Sequence, residues 1–372
     1  MNAVELTREL IRFDTINPPG EEEACARHLG RRLEAAGFRV EEHAFAPRRT
    51  SLVARIGNAG DRPPLCFTGH IDVVPLGGAP WSHEPFAGEL AGGRVYGRGS
   101  TDMKSGVAAF VVAAAQLAPR LGATPGLVLV ITAGEETACE GARHLTGVAR
   151  ALPKAGAIVV AEPTSNAPCV GHKGALWLEA RTSGVTAHGS MPERGVNAVY
   201  KAARAVLMLE KYEFGVAPHP VLGSPTLNVG NIRGGLNVNS VPDAAVVGID
   251  IRTIPEVKHG PLQQHLAGHL GSDVALAAVA DAEGVWSDPG APWMQEVFEV
   301  AERIAGAPRE VRAAPYFTDA SALTPAMGGA PTVILGPGEA GLAHQTDEYC
   351  LVERVEQSVE IYAELTRRWC GV

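Results

Sequence analysis

Three short apolar runs each lead into a histidine or an acid. Leu65–Thr68 precedes His70, Leu127–Thr132 precedes Glu135 and Glu136, and Ala157–Val160 precedes Glu162. Apolar runs without polar alternation read as strands covered on both faces, the condition of a parallel sheet flanked by helices. Ligands of such sheets gather beyond the carboxyl ends of the strands. The pattern therefore predicts one site built from side chains that are distant in sequence.

Helices are expected between these strands. Val4–Phe13 stops at Asn17-Pro18-Pro19-Gly20, Glu21–Ala36 is followed by Gly37, and Lys104–Leu117 is rich in Ala and Val. Further helices are expected over Gly141–Ala151, Trp293–Ala305 and Val352–Trp369, with a strand at Thr332–Leu335. Together they predict an α/β domain with a mostly parallel sheet.

The pattern changes near residue 173. Strand Ala175–Thr182, helix Asn197–Leu209, strands Thr226–Ile232 and Ala244–Arg252, helix Pro261–Leu270 and strand Val274–Ala280 follow the ferredoxin-like split βαβ order. Residues 173–285 are therefore expected to form a second, inserted α+β domain, with 1–172 and 286–372 forming the first. A chain of 372 residues suits two domains.

Composition narrows the function classes. Hydrophobic residues make up 46% and charged residues 20%, enough to build large cores. A net charge of −9 without a basic run argues against a nucleic-acid partner or an anionic membrane. The apolar runs are too short to span a bilayer. Cys25, Cys66, Cys139, Cys169, Cys350 and Cys370 form no CxxC pair, and the N-terminal MNAVELTREL has no signal-peptide character. A cytoplasmic location is expected.

The residues at the strand ends suit a metal site. Hydrolysis of an amide at neutral pH needs an activated water and a stabilised oxyanion, which one or two metals supply. Zinc takes imidazole nitrogen and carboxylate oxygen. His70 and Glu162 suit one metal and Glu136 and His344 a second, with Asp102 bridging; Asp72 is placed to orient His70. Of the adjacent pair Glu135 and Glu136, one can ligate while the other faces substrate as general base. Taken singly, each of these residues is an ordinary turn or loop residue; their joint occurrence at strand ends is what carries weight.

Segments HIDVVP (70–75), GRGSTDMKSG (97–106), TAGEE (132–136), EPT (162–164), TAHGSMPERGVNA (186–198), NSVPD (239–243), DIR (250–252) and GPGEAGLAHQTDEY (336–349) follow one another in this order. In them the chain resembles the zinc-dependent deacylase and peptidase family of acetylornithine deacetylase, succinyl-diaminopimelate desuccinylase, aminoacylase and glutamate carboxypeptidase. The resemblance spans nearly the whole chain. It implies two zinc ions, replaceable by cobalt or manganese, held by His70, Asp102, Glu136, Glu162 and His344. It implies Glu135 as general base toward a water shared by the metals, and a cis peptide after Asp102. It also implies that the inserted domain makes a homodimer, that His188 reaches the partner's site to stabilise the oxyanion, and that Asn239 and Arg252 bind substrate.

The expected reaction is hydrolysis of an N-acyl amino acid; the alternative is a carboxypeptidase or dipeptidase releasing a C-terminal residue such as glutamate. Tyr316-Phe317-Thr318-Asp319 stands where relatives often carry a glycine-rich turn, and Asp319 is expected either to cap a helix or to meet a cationic substrate group. Gly336–Gly341 matches GxGxxG after a strand, but LAHQTDEY follows instead of an apolar helix, which argues against dinucleotide binding.

Overall fold

The computed structural model describes residues 2–57 and 59–372. The chain divides into two compact units, one of residues up to 171, 285–314 and 318–372, the other of residues 172–284 with 315–317.

The first unit carries a large mixed sheet. Its centre is parallel: Leu127–Thr132, Leu65–His70, Ala157–Val160 and Thr332–Ile334 lie side by side in that order. Beyond this centre the pairings are antiparallel, to the hairpin Arg39–Ala46 and Arg49–Ile56 on one side and to Cys169–His172 on the other. Every residue of Leu65–His70, Leu127–Thr132 and Ala157–Val160 is buried, as their unbroken apolar character requires. Helix Ser105–Leu121 packs against Val352–Cys370 and Ala3–Ile11. Its run Val107–Ala114 is wholly buried, so small Ala and Val side chains are what let it sit inside the core. Phe67 lies against both Phe110 and Tyr362, whose hydroxyl donates to the Leu335 carbonyl at 2.6 Å. Helix Glu140–Gly147 is shorter than the sequence pattern suggests; the chain turns away after it, and Arg150 adopts a positive φ of 64°.

The second unit is a four-stranded antiparallel sheet in the order Thr226–Gly234, Ala244–Thr253, Gly174–Ser183 and Val274–Ala282. That is the split βαβ order. Alternation sends Leu176, Leu178 and Ala180 to the same core as Val247, Ile249 and Ile251. Helices Ala198–Glu210 and His259–Leu270 cover that core with Ala202, Leu209, Leu262 and Leu266.

Candidate metal centre

The parallel register sets the site. His70 stands opposite Thr132, and Thr68 opposite both Val130 and Val160. The three strands thus end level, and the residues just past them, Glu135, Glu136 and Glu162, emerge at one edge of the sheet. Asp102 arrives from the turn before helix Ser105–Leu121. There Gly99 has φ of 84° and the Asp102–Met103 peptide is cis, as the resemblance implies.

These side chains form two groups of possible ligands, His70 with Asp102 and Glu162, and Asp102 with Glu136 and His344. Asp102 belongs to both. One of its oxygens lies 3.2 Å from His70 Nε2, and the other 3.5 Å from His344 Nε2. His70 Nε2 also stands 3.8 Å from Glu162, and His344 Nε2 3.2 Å from Glu136. The five residues expected as ligands are therefore gathered in one place. His344 is half exposed; the other four are buried or nearly so.

Asp72 is fully buried beneath this cluster. Its carboxylate stands 3.5 Å from His70 Nδ1, whereas its own carbonyl is the nearer partner at 3.0 Å. The carboxylate also accepts the backbone N–H groups of Glu135 and Glu136, each at 3.1 Å, and Asn17 Nδ2 at 2.9 Å. Asn17, read from sequence only as part of a helix stop, is thus a support of the site.

Glu135 is buried, and its Oε1 has no hydrogen-bond partner among the described residues. Burial pushes the Glu135 and Glu162 carboxyls well above the usual range, and neighbouring carboxylates push the same way. Glu136 is raised by burial against an opposing bond from His344. Burial would raise Asp102 too, but hydrogen bonds from His344 and His70 outweigh it and hold the carboxyl low. His344, bonded to Asp102 and Glu136, is raised to about 10. Acids crowded into a dry site with two imidazoles call for positive charge. Each group offers one imidazole nitrogen and two carboxylates within 4.8 Å of one another, a donor set that fits zinc and also admits cobalt or manganese.

His188, Asn239 and Arg252 lie in the second unit. The Gly189 N–H donates to the Asn239 carbonyl at 2.8 Å, which joins the segments carrying His188 and Asn239. The Ser190 backbone N–H donates to His188 Nδ1 at 3.1 Å. Arg252 is engaged by Asp250 at 2.9 Å, and the Trp177 indole donates to the same Asp250 at 3.0 Å.

The capping expectation for Asp319 is not met. It stands at the N-terminus of helix Ala320–Ala326 without a capping bond, and is buried, with Oδ2 accepting from Thr132 Oγ1 at 2.5 Å. Two glycines of the GxGxxG segment, Gly336 and Gly338, serve packing. A Cβ at Gly336 would lie 2.2 Å from the Ala161 carbonyl oxygen, and one at Gly338 2.1 Å from that of Thr101. These are the residues just before Glu162 and Asp102.

Residues 66–368 match the pattern of Peptidase family M20/M25/M40. The chain belongs to this family. It is similar to the acetylornithine deacetylase of Vibrio cholerae, 29% identical over 364 residues covering 94% of this chain and 92% of that protein. It is also similar to the acetylornithine deacetylase of Proteus mirabilis, 28% identical over 390 aligned positions covering 99% and 96%. Among solved structures, an M20 family metallo-carboxypeptidase from Sulfolobus solfataricus superposes with a TM-score of 0.79 at 17% identity over the full length of both chains. A dinuclear metal binding peptidase of the family from Bacillus subtilis superposes with a TM-score of 0.70 at 16% identity, over 99% of this chain and 98% of that one. These likenesses bear out the α/β fold with its insert. As an M20 member the protein is a hydrolase acting on amide bonds. No helix among the described residues is long and apolar enough to cross a membrane.

Proposed function

We propose that the protein removes the acyl group from an N-acyl amino acid, in the manner of acetylornithine deacetylase or succinyl-diaminopimelate desuccinylase. The observation that carries this reading is the run of curated acetylornithine deacetylases alignable over 90–99% of the chain, on a structure whose acids and histidines form two metal-ligand groups.

In this reading His70, Asp102 and Glu162 hold one zinc, and Glu136, His344 and the shared Asp102 a second, with cobalt or manganese as substitutes. A bound divalent cation supplies Lewis acidity toward the amide carbonyl and toward water. Glu135, whose Oε1 has no hydrogen-bond partner among the described residues, takes the proton of the attacking water and returns it to the departing nitrogen. Asp72 fixes the backbone from which Glu135 and Glu136 diverge. In the second unit Ser190 engages His188 Nδ1, with its Oγ at 2.7 Å and its N–H at 3.1 Å, and the opposite ring nitrogen, Nε2, is the one to meet a developing oxyanion. Asn239 and Arg252 bind the substrate's backbone and carboxylate, Arg252 from a position fixed by Asp250.

Residues 1–172 with 286–372 serve as the catalytic domain, and 173–285 as the dimerisation domain of a homodimer. Tyr200, Leu207, Ile232, Leu236 and Val238 of the second unit are all exposed, apolar surface of the kind a second copy would cover. Six free cysteines, five of them buried, suit a reducing cytoplasm, and the likeness to acetylornithine deacetylases suits a place in amino-acid biosynthesis.

Amine release by the zinc-loaded protein tests the reading. The panel holds N-acetylornithine, N-succinyl-diaminopimelate, other N-acyl amino acids, acyl-glutamates and dipeptides, with a chelated control. Chelator-sensitive cleavage of one acylated amino acid is expected. Preference for dipeptides or acyl-glutamates would replace the deacylase by a peptidase.

A further inference from the structure

Arg98 and Glu348 form an ion pair at 2.6 Å with both side chains almost wholly buried. The pair lies next to the metal-ligand groups without belonging to either. Burying two charges costs free energy that their attraction does not reliably recover, so such a pair is weak evidence of a stability role. What the two groups hold is more specific. Glu348 Oε1 accepts the backbone N–H of Thr101 at 2.8 Å and of Asp102 at 3.1 Å. Its Oε2 accepts Arg98 Nη1 and the Gly99 N–H, the latter at 3.1 Å. One carboxylate thus gathers three amides of the turn that delivers Asp102.

Arg98 works on the other segment. Its Nη1 donates to the Gln345 carbonyl at 3.2 Å, and its Nη2 to the carbonyls of His344 at 3.4 Å and Pro75 at 3.2 Å. The Trp81 ring, 5.1 Å from the guanidinium, covers it. A planar, multiply donating fork is what allows one side chain to reach three carbonyls while paired to an acid. His344 itself has φ of 64°, a conformation that needs its surroundings to hold it.

We propose that Arg98 and Glu348 are positioning residues that set the Asp102 carboxylate and the His344 imidazole for a divalent metal. The inference rests on the metal-site reading above and adds two residues to which no role has been given. The two halves of the pair have different reach. Glu348 holds Asp102, which both ligand groups share; Arg98 holds the backbone of His344, which only one group contains.

Cobalt(II) titration of the metal-free full chain, followed by calorimetry and by visible absorption, tests this. Glu348→Gln is expected to weaken cobalt binding about 10–100-fold, the usual effect of losing an outer partner of a metal ligand, and to alter the visible spectrum. Arg98→Lys keeps a positive charge beside Glu348 but loses the fork; it is expected to weaken only the binding event that involves His344. If Glu348→Gln does not fold, the double variant Arg98→Met/Glu348→Gln leaves no unpaired charge and is scored by the same criteria. A folded variant with wild-type cobalt affinity and spectrum overturns the proposal. A wild-type protein that binds no cobalt or zinc overturns the functional reading itself, and this inference with it.

Discussion

The Asp72 carboxylate accepts the backbone N–H of Glu135 at 3.1 Å, across a sequence distance of 63 residues. The same carboxylate accepts the N–H of Glu136 at 3.1 Å and approaches His70 Nδ1 to 3.5 Å. It therefore fixes the point at which two adjacent glutamates part. Asp72→Asn keeps the size but turns one acceptor into a donor that faces an N–H group. The expected result is a fall in kcat of about 10–100-fold with metal still bound, checked by turnover and metal content on one preparation.

Glu135 has a different signature. Its Oε1 is buried without a hydrogen-bond partner among the described residues, so Glu135→Gln removes a base without breaking a hydrogen bond of that atom. Turnover should fall about 100- to 10,000-fold, the usual worth of a general acid–base group. Metal content should stay at the wild-type level. Loss of metal in this variant would make Glu135 a ligand instead.

The strand-end residues were legible in the sequence because a parallel sheet converts apolar runs into side-by-side strands that end level. His70, Glu135, Glu136 and Glu162 follow from that rule alone. Asp102 and His344 needed the ordered motifs as well. Asn17, Arg98 and Glu348 were not legible, since each acts through contacts with partners 23 to 250 residues away that no local periodicity encodes. Gly336 and Gly338 were read as a mismatched nucleotide motif, whereas their function is steric: bare backbone lets the loop press against the carbonyls before Glu162 and Asp102. Asp319 stands at the helix N-terminus but does not cap it, because a capping residue and a buried acceptor look alike in sequence and its side chain turns to the Thr132 hydroxyl.

Metal removal should lower stability as well as activity. The acids of the site are crowded and buried, and a divalent cation bound to the folded state alone stabilises it by mass action. At a free metal concentration of 100 Kd this amounts to about 2.7 kcal/mol. Chelation is therefore expected to lower Tm and to abolish amide cleavage together, with both restored by zinc. Calorimetric scans at fixed protein concentration, with and without chelator, measure the first effect; an unchanged Tm would mean that the cluster is held together without metal.

His172 gives the second unit an acid sensitivity of its own. It is fully buried, its Nδ1 lies 2.8 Å from the Lys173 carbonyl, and its Nε2 has no hydrogen-bond partner among the described residues. Burial lowers its pKa from the ordinary 6.5 to about 4, against a small opposing pull from that carbonyl. Between these values the unfolded chain binds a proton that the native protein refuses. The folded pKa is depressed, so the contribution is intact above pH 6.5 and is lost as pH falls through 4. At 1.36 kcal/mol per unit the loss is about 3 kcal/mol. Denaturant unfolding from pH 7 to pH 4 should show this loss in the wild type and a shallower slope in His172→Asn. Equal slopes would mean that His172 takes up its proton in the folded state as readily as in the unfolded chain.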